Sequence, residues 1–322
     1  MSRIPIPRAK RQLLPQMAQV PVGQGTYGCV YNPPLPCQTE CTDQRCQTGV
    51  SKLLGAKAAF SEMAAFNALP EDFDNEEQFI INRPHVCKTD PRWTATCEGP
   101  NTTDPYLLLY TDGGTDLHDL IHVRKMRDPN IYINGLRNII SGLARIHRIP
   151  SQHMDLKPDN IVTGTDGNHF RLIDFGFLVP SDRLNIPDPI LKTPYKYWPL
   201  DTVLASNCRV TNEDIAAFVD SSVENNIIMK HRSKIELFNF LIDLRATNIT
   251  VKQIKRKIDV FSLGIIMRDI ATLFEQVNPI FAANLRGFIS INRMLDFDPN
   301  NRPQMRTVLD MFNATFRPAS DI

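Results

Sequence analysis

A glycine-rich stretch near the start of the chain has the composition of a phosphate-binding turn. Residues 23–30 read Gly-Gln-Gly-Thr-Tyr-Gly-Cys-Val. Glycine lets backbone N–H groups approach an anion because no side chain stands between them. A dinucleotide-binding turn has the same spacing but leads into a helix, whereas Val30 and Tyr31 continue as strand and run into two prolines. The stretch favours a hairpin over phosphates, and a purely structural hairpin is an equal alternative.

A lysine and a glutamate further along could form an ion pair. Lys52 lies in the apolar run Gly49–Leu53, and Glu62 is the only acidic residue between Lys52 and Pro70. The segment Ala56–Leu69 is predicted to be a helix because its apolar residues recur at helical spacing. An ammonium held by such a carboxylate can bridge two phosphates. The alternative is an edge lysine whose alkyl chain lies along apolar surface.

Two short stretches in the middle of the chain carry the most specific pattern. Residues 153–161 read His-Met-Asp-Leu-Lys-Pro-Asp-Asn-Ile, and residues 171–176 read Arg-Leu-Ile-Asp-Phe-Gly. Each is predicted to be a loop beside a short apolar strand. At these residues the sequence resembles the eukaryotic-type protein kinase superfamily, whose loops read His-Arg-Asp-x-x-x-x-Asn and Asp-Phe-Gly. The alternative is that Asp155, Asp159 and Asp174 are merely turn and cap residues.

The resemblance assigns a role to each polar residue of these stretches. It implies that Asp155 accepts or orients the proton of the attacking hydroxyl, and that Lys157 neutralises the transferred phosphate. It implies that Asn160 and Asp174 bind Mg²⁺ or Mn²⁺, and that Lys52, held by its glutamate, contacts the α- and β-phosphates of ATP. The lysine within Asp-Leu-Lys-Pro-Asp-Asn looks like the serine/threonine branch. The expected substrates are therefore proteins with serine or threonine hydroxyls.

Further motifs extend the resemblance over most of the chain. Residues 259–264 resemble the start of the family's central buried helix, where Asp259 would cap the helix and brace the catalytic loop. Residues 298–303 resemble its late Arg-Pro element, and residues 107–114 resemble the strand and hinge between its lobes. The resemblance implies that ATP contacts a set of residues from the glycine-rich stretch, the lysine strand and the hinge: Gly23, Gly25, Gly28, Val30, Lys52, Leu109, Tyr110 and Thr111.

Two positions depart from the family pattern. Met154 replaces the catalytic-loop arginine that pairs with a phosphate on the activation segment, so we expect activity without obligatory phosphorylation of that segment. Leu200 stands where the family has a glutamate that pairs with an arginine like Arg302. Either Asp201 takes over this pairing or apolar packing replaces it.

These motifs need scaffold elements of two kinds. Residues 17–110 mix short β-like runs and one helix, because Val, Tyr and Leu alternate with Gly and Pro punctuation. Further on, Ile133–His147 has a helical apolar stripe, and Lys257–Leu273 is apolar nearly all round. We therefore predict an α+β, bilobal protein-kinase fold with a β-rich N-lobe, one regulatory helix and a mainly helical C-lobe. The predicted domains are a flexible basic leader (1–16), the N-lobe (17–110, with a cysteine-containing insertion at 33–48) and the C-lobe (111–322).

One region of the C-lobe, 201–250, is longer than its counterpart in the family. Apolar residues at helical spacing, such as Ile215, Phe218 and Val219, predict helices there. We favour the interpretation that these helices replace a shortened region downstream. The alternative is a docking site for a substrate or partner protein.

The overall composition and the cysteines bear on compartment and partners. No run suits a membrane helix or a secretory signal, and the formal net charge is +1, so we expect no membrane and no nucleic-acid partner. The expected location is intracellular and cytoplasmic, where the seven cysteines stay mostly reduced and form no disulfide framework. Zn²⁺ on Cys37, Cys41 and Cys46 is the less favoured alternative to loop cysteines without a metal, because their spacing is not that of a zinc ribbon.

A narrower resemblance concerns the stretch Gly25–Cys37 together with Val50–Leu53. It is similar to serine/threonine kinases encoded by nucleocytoplasmic large DNA viruses, which implies work in the host cytoplasm or the virion. One rival function is a pseudokinase that acts as a binding scaffold, although every catalytic position is filled. Another is a small-molecule kinase of the aminoglycoside type, which usually lacks the Asp-Phe-Gly and Asp-x-x-Ser-x-Gly elements present in this chain.

Overall fold

A computed structural model describes most of the chain, which divides into two compact units. The described residues are 20–25, 28–69, 79–97, 103–149, 151–164, 169–180, 188–206, 209–224 and 233–317. Unit 1 comprises residues 1–59 and 84–110, and unit 2 comprises residues 60–83 and 111–322. The predicted basic leader, 1–16, lies outside the described residues.

Unit 1 is built around an antiparallel sheet. Its described strands are β1 (Gly23–Gly25), β2 (Gly28–Tyr31), β3 (Val50–Gly55), β4 (His85–Lys88) and β5 (Pro105–Tyr110). They pair in the order β1-β2-β3-β5-β4, which places β3 at the centre. The strand predicted at Val30 and Tyr31, the apolar run Gly49–Leu53 and the strand at the start of residues 107–114 are found as β2, β3 and β5. The sequence does not predict β4, because His-Val-Cys-Lys has no apolar run and becomes a strand by pairing with β5 along its whole length.

A single turn of helix, α1 (Arg45–Thr48), lies in the loop between β2 and β3. Its start is held by Asp43, whose carboxylate accepts hydrogen bonds from the Arg45 main-chain N–H at 2.9 Å and from the Arg45 Nε at 2.8 Å. Its end requires Gly49, because a Cβ at that position would lie 2.2 Å from the carbonyl oxygen of Tyr110. The helix is therefore seated closely against the sheet.

Six cysteines among the described residues form disulfides, which corrects the prediction of reduced thiols and no disulfide framework. The pairs are Cys29–Cys97, Cys37–Cys87 and Cys41–Cys46. The first two pairs join positions 68 and 50 residues apart, so the folding of the sheet brings them together and local spacing does not. The seventh cysteine, Cys208, lies outside the described residues.

Unit 2 is mostly helical. It contains residues 60–68 of α2 (Ala56–Ala68) and the helices α3 (Leu117–His122), α4 (Pro129–Ile146), α5 (Asp188–Leu191), α6 (Asn212–Glu224), α7 (Lys234–Ala246), α8 (Val251–Phe274), α9 (Pro279–Ile291) and α10 (Met305–Thr315). Four short strands form two pairs, β6 (Ser151–Gln152) with β9 (Val179–Pro180) and β7 (Ile161–Val162) with β8 (Arg171–Leu172). No helix in the described ranges is long and apolar enough to cross a membrane.

The helical predictions hold for α2 and α4. The stripe of α4 (Leu136, Ile139, Ile140 and Leu143) is completely buried. Asp128 begins this helix, since its carboxylate accepts a hydrogen bond from the Asn130 N–H at 2.9 Å.

Helix α8 is also confirmed, but it begins earlier than predicted. Thr250 and Gln253 form a capping box that starts the helix at Val251. Asp259 therefore lies in the third turn of α8 and does not cap the helix, which corrects that part of the prediction.

The region 201–250 contains α6 and α7, as its helical spacing predicts. The two helices pack on a 3₁₀ turn, Leu200–Ala205, through one apolar cluster. The buried members of this cluster are Leu200, Val203, Val210, Ile215, Phe218, Val219, Leu237 and Leu241. Leu200 is thus a packing residue of this cluster.

Arg302 is paired with Asp201, which decides between the two alternatives for this position. The Arg302 guanidinium donates to the Asp201 carboxylate, and both side chains have no exposed surface. The same guanidinium donates to the carbonyl oxygens of Asp296 at 2.9 Å, Phe297 at 3.2 Å and Lys257 at 3.3 Å. One planar cation therefore satisfies four acceptors in a buried site.

We predict that Arg302→Lys lowers the free energy of unfolding by about 2–4 kcal/mol, although the charge is kept. A lysine cannot reach four acceptors at once, and buried acceptors left unsatisfied cost about 1–3 kcal/mol each. Urea denaturation of both proteins measures the difference. The matched control is Arg306→Lys, whose side chain is 60% exposed beside Asp310. This exposed change costs less than about 0.5 kcal/mol. Equal stability of Arg302→Lys and wild type would contradict the proposed importance of the guanidinium.

Candidate active site

The hairpin of β7 and β8 brings the two central motifs together. Ile161 pairs with Leu172, so Asn160 and Asp174 lie near the same end of the hairpin. The Ile173 N–H donates to the carbonyl oxygen of Asn160 at 3.0 Å, which fixes the two loops to each other. A short strand pair therefore converts two distant sequence motifs into one polar cluster.

The centre of this cluster is the Asp155 carboxylate. Lys157 donates to its Oδ2 at 3.1 Å, and the Asn160 amide donates to the same Oδ2 at 2.9 Å and to the Asp155 carbonyl oxygen at 2.8 Å. Burial raises the pKa of Asp155, the charge of Asp174 adds to this effect, and the charge of Lys157 opposes it. The charge of Lys157 therefore favours the ionised form of Asp155, and the charge of Asp174 disfavours it.

Asn160 and Asp174 present oxygen atoms suitable for a hard cation. The Asn160 amide nitrogen is bonded to Asp155, while its Oδ1 makes no hydrogen bond within the described ranges. Asp174 is partly exposed and has a positive φ of 60°, a sparsely populated backbone conformation of the kind found at functional sites. Amide and carboxylate oxygens are the ligands that Mg²⁺ prefers, so the donor set fits this ion.

The catalytic loop is braced from behind by Asp259. Its fully buried carboxylate accepts hydrogen bonds from the main-chain N–H groups of His153 and Met154, both at 2.9 Å, and from His147 Nε2 at 2.8 Å. Burial by itself would raise the pKa of Asp259, but the hydrogen bond and charge of His147 hold that pKa below its ordinary value. Met154 has a φ of 67°, so this brace also fixes a strained turn directly before Asp155.

Three rings in contact, edge-to-face or tilted, connect α2 to the two motifs. The centroids of Phe66 and Phe175 are 4.9 Å apart, and those of Phe175 and His153 are 5.1 Å apart. His153 Nε2 lies 3.1 Å from the carbonyl oxygen of Ile173, to which it can donate. The ring of the Asp-Phe-Gly motif is therefore buried between a helix and the catalytic loop.

The segment after α5 is fixed to the same loop. Trp198 Nε1 donates to the Met154 carbonyl oxygen at 2.7 Å, and the Ser262 hydroxyl donates to the Tyr197 carbonyl oxygen at 2.6 Å. Tyr195 packs on Trp198, with ring centroids 5.6 Å apart. Burial raises the pKa of Tyr195, and the charge of Asp155 adds to this effect.

In unit 1, the predicted nucleotide-binding residues lie on adjacent strands. Gly23 and Gly25 are in β1, while Gly28 and Val30 are in β2. A Cβ at position 28 would lie 2.2 Å from the carbonyl oxygen of Leu53, so sheet packing alone requires this glycine. The tip of the hairpin, residues 26–27, lies outside the described residues.

Lys52 is a half-buried residue of β3, opposite Val30 in β2 and Leu108 in β5. Leu109 and Tyr110 end β5 and are buried, and Thr111 is the first residue after that strand. Glu62 lies in α2 with 3% of its surface exposed. Because Lys52 and Glu62 belong to different units, their ion pair stays a prediction.

The structure also contains supporting residues that the sequence does not reveal. His147 lies 112 positions before its partner Asp259, and Trp198 lies 44 positions after the carbonyl that it contacts. No local pattern singles out either residue. A buried tryptophan N–H usually finds an acceptor, so the residue type alone indicates that Trp198 makes a hydrogen bond but does not name its partner.

Comparison with known proteins identifies the family. Residues 18–185, more than half of the 322-residue chain, match the family described as protein kinase domain. The chain is 33% identical over 130 residues to serine/threonine-protein kinase PknL of Mycobacterium tuberculosis, a match that covers 38% of this chain and 32% of that protein. It is 28% identical over 159 residues to human serine/threonine-protein kinase ULK3, covering 48% of this chain and 30% of that protein.

A third relative is serine/threonine-protein kinase greatwall of Danio rerio, 36% identical over 94 residues, which cover 29% of this chain and 11% of that protein. The chain thus spans about a third or less of the length of these curated relatives. The predicted α+β, bilobal kinase fold is confirmed by the family match together with the β-rich unit 1 and the mostly helical unit 2. The chain belongs to the protein kinase domain family.

Proposed function

We propose that this protein transfers the γ-phosphate of ATP to serine or threonine hydroxyls of other proteins. The observation that carries this proposal is the cluster of Asp155, Lys157, Asn160 and Asp174 on two loops fixed to each other. Phosphoryl transfer depends mainly on positioning and charge neutralisation, and this cluster supplies both. The names of the relatives support the serine/threonine class.

Each residue of the cluster has one task in the proposed reaction. Asp155 orients the substrate hydroxyl and accepts its proton, and Lys157 stabilises the negative charge of the phosphate that is transferred. Asn160 and Asp174 would hold Mg²⁺ or Mn²⁺, which neutralises phosphate charge when it is bound. The hydrogen bonds between Asp155 and Asn160 keep base and metal ligand in one arrangement.

Residues of unit 1, together with Glu62 and Thr111 of unit 2, would bind the nucleotide. Gly23, Gly25 and Gly28 would place backbone N–H groups near the phosphates, with Val30 beneath them. Lys52, oriented by Glu62, would contact the α- and β-phosphates. Backbone groups of the hinge, Leu109, Tyr110 and Thr111, would pair with adenine.

The packing of Met154 supports activity without phosphorylation of the activation segment. Its side chain has no exposed surface and lies in a cluster with Leu191, Trp198, Ile254 and Ile258. An apolar cluster occupies the place from which an arginine would reach a phosphate. The segment is attached to the loop instead through the Trp198 hydrogen bond to the Met154 carbonyl oxygen.

We also propose the lobe boundaries, a surface for a protein partner and the location of the protein. The N-lobe would comprise 17–110 and the C-lobe 111–322, and the helices of 201–250 are a candidate docking surface for a protein partner. The ion pair of Lys192 with Asp214 at 3.0 Å attaches α6 to the segment after α5, so a partner bound there would lie next to that segment. The resemblance to kinases of large DNA viruses supports a viral origin and work in the host cytoplasm or the virion.

We predict that Asp155→Asn lowers phosphate transfer by about 10²–10⁴-fold, because the base is lost while the shape is kept. The measurement is transfer of labelled γ-phosphate from ATP to casein, to a basic protein and to the kinase itself, followed by phosphoamino-acid identification. ATP binding, measured by calorimetry, is expected to persist. Asp310→Asn, an exposed change on α10, is the control and should keep full activity. ATP binding without transfer by the wild type would instead favour a scaffold.

We predict that Met154→Arg destabilises the protein by several kcal/mol, because it buries a charge in an apolar cluster without a partner. Met154→Leu keeps the volume and should cost less than about 1.5 kcal/mol. Urea denaturation midpoints compare the two variants. A stable Met154→Arg protein would mean that a polar pocket, and not apolar packing, surrounds this side chain.

We predict that the dephosphorylated protein keeps its full rate of transfer. The purified kinase would be treated with a phosphatase, checked by mass spectrometry for complete removal of phosphate, and assayed at once, before it can phosphorylate itself. A loss of activity that returns after incubation with ATP would contradict independence from activation-segment phosphorylation.

A further inference from the structure

Four cysteines of unit 1 form one sulfur cluster. The Cys37–Cys87 and Cys41–Cys46 disulfides lie side by side, with the Sγ atoms of Cys37 and Cys46 separated by 4.0 Å. The Sγ atoms of Cys37, Cys41 and Cys46 all lie within 4.8 Å of one another. Two disulfides this close can exchange partners when a thiolate of one attacks a sulfur of the other.

One side of the cluster is held in place by bonds other than disulfides. The Gln38 N–H donates to the Lys88 carbonyl oxygen at 2.8 Å, and the Thr89 hydroxyl donates to the Pro36 carbonyl oxygen at 2.7 Å. These two bonds flank Cys37 on one segment and directly follow Cys87 on the other. The two segments therefore stay together when the disulfide between them is reduced.

The other side of the cluster is carried by α1. The Cys46 N–H donates to the Asp43 carbonyl oxygen at 3.0 Å, and the helix is seated on the sheet at Gly49. The Leu35 N–H donates to the Ser51 hydroxyl at 2.9 Å, which attaches the start of this loop to β3. Reduction of Cys41–Cys46 consequently leaves the Cys46 sulfur close to its present position.

The arrangement of these sulfurs fits a tetrahedral thiolate site. Zinc binds thiolate sulfur at about 2.3 Å, which in a tetrahedron separates the sulfurs by about 3.8 Å. The Sγ atoms of Cys37 and Cys46 are already 4.0 Å apart, three of the sulfurs lie within 4.8 Å of one another, and the fourth, Cys87, is bonded to Cys37 and would have to move away from it. Cys37, Cys46 and Cys87 are partly buried and pack against the apolar core of unit 1, which limits access of water.

We propose that Cys37, Cys41, Cys46 and Cys87 form a redox-dependent zinc site: four thiolates bind one Zn²⁺ under reducing conditions, and two disulfides form under oxidising conditions. Four molecules of a thiol such as glutathione reduce the two disulfides and leave as two molecules of the oxidised dimer. The four protein thiols then release four protons when they bind Zn²⁺. Both states cross-link the same segments, so unit 1 is stabilised in a reducing and in an oxidising compartment.

The contact between Cys46 and Cys37 gives the exchange a path. When Cys41–Cys46 is reduced first, the Cys46 thiolate lies 4.0 Å from the Cys37 sulfur. Attack on that sulfur forms a Cys37–Cys46 bond and releases Cys87 as the thiolate. A second pair of thiol reductant molecules then opens the new bond and completes the set of four thiols.

The first test measures metal binding by the full chain purified with a phosphine reductant. We expect one Zn²⁺ per chain by elemental analysis, and Co²⁺ in its place should give the absorption of a tetrahedral thiolate complex. The double variant Cys37→Ser/Cys46→Ser should lose the metal. The control is Cys208→Ser, which changes the remaining cysteine and should keep one Zn²⁺ per chain. A folded, reduced wild type without zinc, or equal zinc in the double variant, would overturn the proposal.

A second test needs no variant and therefore does not depend on the variant's folding. Alkylation of the reduced wild type is followed by peptide mass spectrometry with and without added Zn²⁺. Zinc should slow alkylation of these four cysteines, and treatment with a disulfide-forming oxidant should release the zinc and produce the Cys37–Cys87 and Cys41–Cys46 peptides. Unchanged alkylation rates, or zinc that stays bound after both disulfides have formed, would exclude the site.

Discussion

The buried Asp259 carboxylate is the interaction on which the catalytic half of the protein depends. It accepts hydrogen bonds from two successive main-chain N–H groups, those of His153 and Met154, and from the His147 ring. A backbone N–H without a partner in this interior would cost about 1–3 kcal/mol, so the carboxylate stabilises a turn that would otherwise be unfavourable. The lowered pKa of Asp259 follows from the same contacts, since they favour the charged form against the effect of burial.

The consequences of this turn extend outward from Met154. Met154 has a positive φ and its side chain lies in the apolar cluster, while the carboxylate of the next residue, Asp155, accepts hydrogen bonds from Lys157 and Asn160. The Met154 carbonyl oxygen remains available and accepts the Trp198 N–H. Met154 thus anchors the loop in the apolar cluster and directly precedes the polar residue Asp155. Its carbonyl oxygen also attaches the loop to the segment that follows α5.

Unit 1 has a different basis for its stability. Its sheet is held by strand pairing centred on β3, with the Cys29–Cys97 disulfide inside the apolar core beside Tyr31 and Leu53. The loop between β2 and β3 has little apolar content and depends on hydrogen bonds and on cysteine cross-links. Lys52 is carried by the best-supported strand of the unit, which suits a residue that must hold a fixed position.

The sequence by itself determined the elements whose signals are local. The stripe of α4 and the two motifs around Asp155 and Asp174 are each contained within a few turns or loop residues, and the family and its fold follow from them. Tertiary structure decided which distant residues meet. It pairs Arg302 with Asp201 across 101 positions, selects His147 as the partner of Asp259, and joins cysteines up to 68 positions apart. The physical reason is that burial and partner geometry, which set these pairings, are properties of the packed chain and have no periodicity in the sequence.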